Sequence, residues 1–94
     1  MYLKYYNNTM KVNENYILKE ALDSNILINI NNSNLIIKLN DTSSDIFNYV
    51  KSGKSKEEII DLLLSKYNID KDSLIKDVDS FINEMLEKKI FIND

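Results

Sequence analysis

The chain has 94 residues, 44% of them hydrophobic, which suits one domain with a single modest core and is too apolar for a disordered segment. It holds no Cys and no His, so disulfides, thiolate metal sites, cysteine nucleophiles and imidazole bases are all excluded. The net charge is −3 and all 12 basic residues are Lys, so the bidentate phosphate and guanine contacts that Arg supplies are missing too.

The first residues, MYLKYYNNTM, lack the basic-then-apolar layout of a signal peptide, and no later apolar run reaches membrane-spanning length. A cytoplasmic protein with no membrane partner is expected. Tyr2, Leu3, Tyr5 and Tyr6 fit a flexible start, an added strand or a docking patch, and residues 1–15 as a whole are expected to be flexible or an added strand. Residues 16–22 (YILKEAL) read as a first strand, ended by Asp23-Ser24-Asn25. Residues 26–30 (ILINI) read as a second, with Ile26, Ile28 and Ile30 on one face. Asn31-Asn32-Ser33-Asn34 is a turn, because Asn tolerates positive φ better than other non-glycine residues. Residues 35–39 (LIIKL) are a third strand, with Leu35, Ile37 and Leu39 toward the core. Short connections make this an antiparallel meander.

From Thr42 onward the apolar spacing changes to three and four residues. The first helix runs from Asp41 or Thr42 to Lys51, with Asn40 as N-cap, or Thr42 and Asp45 as a capping box one turn on. Gly53, the only glycine, suits a left-handed C-cap. Ser55 and Glu58 form a capping box for the second helix, which buries Ile59, Ile60, Leu63 and Tyr67 or their neighbours. Asp70 or Asp72 caps the third, which runs to about Lys88. Its apolar positions, from Leu74 to Leu86, span about 140° of arc, wider than the ~100° stripe of a helix packed on one partner. One flank therefore belongs to the core and the other faces something else. Ile90, Phe91 and Ile92 close the chain. The class is α+β: a three-stranded antiparallel sheet followed by a three-helix bundle, winged-helix-like.

The remaining Asp, Glu, Lys, Tyr and Ser residues form no compact cluster, so no catalytic residue, metal site or cofactor is expected and the protein is expected to be no enzyme. The third strand has no Pro and one charge, Lys38. Such an edge either recruits a peptide strand or is covered by the N-terminal segment. A winged helix also suggests DNA, but Asp77, Asp79, Glu84 and Glu87 outweigh Lys76, Lys88 and Lys89 on the third helix. A degenerate winged-helix module for DNA or transcription partners, and a structural subunit of an enzyme complex, are the alternatives.

Three steps of the sequence stand in register: Ile26-Leu27-Ile28-Asn29; Leu39-Asn40-Asp41-Thr42 leading into Ile46; and Ser52-Gly53-Lys54-Ser55-Lys56-Glu57-Glu58-Ile59. Asp77-Val78, Phe81-Ile82, Met85-Leu86 and Ile90 follow. Over about residues 16–92 this resembles the PqqD family, also described as the RiPP precursor peptide recognition element. The chain departs from the family pattern at Lys89, where Gly is usual near the end of the third helix, and at the Asn/Ser turn between strands two and three. The resemblance implies three strands plus three helices, and a role as a peptide chaperone in natural product biosynthesis. The leader of a ribosomally made precursor would add as a fourth strand beside the third, packed against the third helix. It would lie along Leu35, Ile36, Ile37, Lys38 and Leu39, and meet Val78, Phe81, Ile82 and Met85 on the helix. The implied partners are that leader peptide and a maturation enzyme, either a radical-SAM enzyme or a leader peptidase.

Overall fold

The computed structural model describes residues 9–93, so the Tyr2, Leu3, Tyr5 and Tyr6 cluster lies outside the described residues. In chain order the elements are β1 (Met10–Val12), β2 (Tyr16–Glu20), β3 (Asn25–Asn29), β4 (Asn32–Leu39), α1 (Asp41–Lys51), α2 (Lys56–Lys66), α3 (Lys71–Glu87) and β5 (Phe91–Asn93). β2, β3 and β4 make an antiparallel meander, and β1 pairs antiparallel with β5 in a second, two-stranded sheet. The α+β class with three strands and three helices is as expected.

The helix ends follow local chemistry. The Asn40 side chain accepts from the Ser43 N–H, Ser55 and Glu58 form a reciprocal capping box, and Asp70 accepts from the Ser73 N–H. The Glu58 carboxyl is held below its ordinary value, first by the backbone hydrogen bond it accepts from Ser55. The alternative box of Thr42 and Asp45 is not used, because Asp45 is engaged across the helix seam. It accepts from the Tyr67 hydroxyl at 2.7 Å and from Lys66 at 2.9 Å. That hydrogen bond, more than burial, pushes the Tyr67 hydroxyl up from its ordinary value.

Two helices end in Schellman motifs. After α1, Gly53 takes φ 85° while its N–H donates to the Val50 carbonyl and the Lys54 N–H to that of Tyr49. After α3, Lys89 does the same with φ 60°, its N–H donating to Leu86 and the Ile90 N–H to Met85. A side chain in this left-handed conformation is strained, and Lys89 is the only non-glycine residue at positive φ among those described. Lys89→Gly is expected to stabilise the fold by about 0.5–1 kcal/mol, once the greater freedom of Gly in the unfolded chain is subtracted. A thermal melt checks this, and a lower melting temperature in the variant would show that the Lys89 side chain contributes more than its backbone strain costs.

The strands differ in detail from the expectation. β2 stops at Glu20, leaving Leu22 fully exposed in the connection. The second turn is centred on Ile30 and Asn31, so β4 begins at Asn32 rather than Leu35. No Asn there takes positive φ. Instead Asn29 and Asn32 accept, through their side-chain oxygens, from the backbone N–H groups of Asn31 and Asn34. These are Asx turns, which tighten the bend without left-handed backbone. The β3–β4 register shifts between Ile28 and Asn29.

One core takes residues from every layer, with Leu27 and Leu39 from the sheet, Phe47 and Val50 from α1, Ile59 and Leu63 from α2, and Val78 and Met85 from α3. Each such side chain sealed from water contributes about 1.5–3 kcal/mol. Ser44 is the buried polar residue among them, and its hydroxyl accepts from the Asn25 side chain at 2.8 Å, tying β3 to α1.

Candidate functional site

β4 is the outer strand of its sheet, and among the described residues no strand lies beyond it. The described part of the N-terminal segment that forms a strand, Met10–Val12, pairs with β5 and leaves this edge alone.

The backbone groups that β4 leaves open follow from alternation. In an antiparallel pair, opposed residues are hydrogen-bonded and non-bonded in turn. The Ile30 N–H donates to Asn15 and the Ala21 N–H to Ser24, so in the β2–β3 register the even-numbered residues of β3 bond toward β2. Its odd-numbered residues, Asn25 and Leu27, then bond toward their partners Leu39 and Ile37. On β4 the N–H and C=O of Ile36 and Lys38 are therefore turned to the open edge. These are the groups an incoming strand would use.

The side chains follow the same alternation. Leu39 is buried and Ile37 is half-buried against the core, while Ile36 is 56% exposed on the opposite face. Leu35, expected in the core, is 45% exposed, because it lies in the register-shifted stretch near the hairpin tip, outside the core cluster. Across the outer face Ile17, Ile28 and Ile36 stand in one row, and Lys19, Ile26 and Lys38 in the next.

The helix residues divide differently from the expectation. Val78 and Met85 are sealed in the core and Ile82 is 6% exposed, so these three expected groove residues present little surface in the unliganded fold. They fall at the centre of the apolar arc rather than on its outer flank. The two flanks are told apart by their partners. Asp79 pairs with Lys56 of α2, so its flank is the one packed on that helix. Phe81 lies on the other, half-buried, with its ring edge-on to Phe91 at 6.0 Å between centroids. Of the four helix residues expected at the site, Phe81 is the most exposed. The sequence holds no signal to separate these flanks, since both are apolar. The outer part of α3 carries exposed Asp77, Glu84 and Glu87, with Glu84 paired to Lys88, which is a poor match to phosphates. Among the described residues no cluster of acidic groups is arranged to hold a metal ion, and no helix is long and apolar enough to cross a membrane.

The profile of a family described as "PqqD: Coenzyme PQQ synthesis protein D (PqqD)" matches residues 25–90, which runs from the first residue of β3 to the end of the α3 cap. Among curated proteins none matches the chain. A solved structure described as "TbiB1 in Complex with the TbiA(beta) Leader Peptide" is similar with a TM-score of 0.74 and 21% identity, over 86% of this chain and 93% of that one.

Proposed function

The chain belongs to the PqqD family, and on that footing we propose that it binds the leader segment of a ribosomally made precursor peptide and presents it to a separate maturation enzyme. The carrying observation is the open β4 edge, with the backbone groups of Ile36 and Lys38 unpaired by any strand among the described residues. The leader adds there as a further strand, and backbone hydrogen bonds supply much of the affinity. On the helix side the contact is Phe81, and on β4 it is Leu35, Ile36 and Lys38. Further support comes from the similar fold of TbiB1, which is described in complex with a leader peptide. The chain itself supplies binding and no chemistry. Its partner is a radical-SAM enzyme or a leader peptidase in the cytoplasm, and the complex releases the leader on handover. Micromolar affinity, about −8 kcal/mol, is enough for that.

The test is an amide-shift titration of the labelled protein with synthetic leader peptides from small reading frames beside its gene. Saturable shifts concentrated on β4 and around Phe81 are the expected result. Shifts confined to the α2 surface, or no binding by any such peptide, would remove the assignment.

A further inference from the structure

Edge strands offer the same backbone to every peptide, so selectivity must come from side chains flanking the edge. In an added strand, residues beside Ile36 and Lys38 place their side chains on the outer face, next to those two. The two rows there differ in character. The Ile17, Ile28 and Ile36 row is wholly apolar and partly exposed. The next row is Lys19, Ile26 and Lys38, which ends at the edge in a cation. Lys38 is the one charge on β4, and among the described residues it makes no ion pair. Asp23 and Asp41 share a hollow with it, yet neither comes within ion-pairing distance. A cation left uncommitted beside unpaired backbone is free to select the charge of what docks.

We propose that Ile36 and Lys38 read two outer-face positions of the bound leader, requiring a β-branched or other apolar residue beside Ile36 and an acidic residue beside Lys38. The inference rests on leader binding at β4. The two positions are separated by one residue, since side chains on one face of a strand recur every second position. Their order reports the direction of docking. An antiparallel leader runs opposite to β4, so its acidic residue precedes its apolar one; a parallel leader reverses that order. Cross-strand pairs of opposite charge at an exposed site correspond to about twofold to fivefold in affinity. The preference also weakens in high salt.

The experiment is selection of a random twelve-residue display library on the full chain and, separately, on Lys38→Glu. The expected result is peptides from the wild type that share an acidic residue and an apolar one with a single residue between them. Peptides from Lys38→Glu should carry Lys in place of the acid. The best wild-type peptide is then remade with Lys for its acid: it should weaken about twofold to fivefold on the wild type and tighten on the variant. Peptides that bind both proteins at the β4 edge with no charge preference would overturn the inference and leave leader binding standing. If neither protein enriches any peptide at β4, both fail together. Amide spectra of Lys38→Glu that overlay those of the wild type away from β4 establish that the variant is folded.

Discussion

Ile36→Pro is expected to give a folded protein that binds leader peptide more than tenfold more weakly than the wild type. The backbone N–H of Ile36 points to the open edge and takes no part in the pairing of β4 with β3, so the fold loses no ladder hydrogen bond. Proline is accepted on an edge strand where its missing donor faces outward. Its effect falls on the incoming strand instead, which loses one hydrogen bond and meets the pyrrolidine ring where the donor had been. A tenfold change corresponds to about 1.4 kcal/mol, within what one lost hydrogen bond and a steric clash at the edge would cost. Ile37→Pro is the informative contrast. Its N–H is bonded to Leu27, so that substitution breaks the sheet and should lower the melting temperature. Ile36→Thr, which keeps the donor, should retain most of the affinity. A folded Ile36→Pro protein with undiminished leader affinity would rule out strand addition at this edge.

Phe91→Ala carries the largest expected loss of stability, about 3–5 kcal/mol. Phe91 is 1% exposed and stands between two other rings, 6.1 Å from Phe47 on α1 and 6.0 Å from Phe81 on α3. Truncation removes a large apolar surface and both aromatic contacts, and leaves a cavity that two separate helices would have to close. It also leaves β5 without its buried anchor, so the pairing with β1 should loosen. Natural domains of this size hold about 5–14 kcal/mol in total, so the variant should be marginal and readily unfolded by urea. Chemical denaturation checks this. A loss below about 1 kcal/mol would mean that Phe91 is far less tightly packed than its burial implies.

How much of this was legible beforehand depended on whether the signal was local. Asn40, Ser55 with Glu58, Asp70 and Gly53 each act within a turn of their own position, and the three helices follow from them. The beginning of β4 is not legible in the same way, because Asn in a turn suggests left-handed backbone, whereas Asn29 and Asn32 work through their side-chain oxygens. The pairing of β1 with β5 joins Met10 to Asn93, two three-residue strands at far ends of the sequence with no periodicity to announce them. An added strand is one option the sequence allows for residues 1–15, but nothing local names its partner. At the candidate site, Ile36 and Lys38 could be placed on the outer face by counting along the strand. The α3 side could not be resolved that way. A helical wheel shows which positions are apolar, but only the packing of α2 on the Asp79 flank, and of Phe91 on the other, shows that Val78, Ile82 and Met85 are buried and Phe81 is less so.

The pairing of β1 with β5 also fixes where the polypeptide enters and leaves. Paired residues of antiparallel strands sit about 5 Å apart, so the chain arrives at Met10 and departs from Asn93 through a single doorway. That doorway belongs to the two-stranded sheet, whereas the open edge belongs to the other one. A polypeptide joined to the described residues at Met10 or Asn93 therefore connects through the two-stranded sheet and not through the strands of the β4 sheet. Between Met10 and Asn93 the domain has the layout of a cassette, with both seams side by side on one sheet.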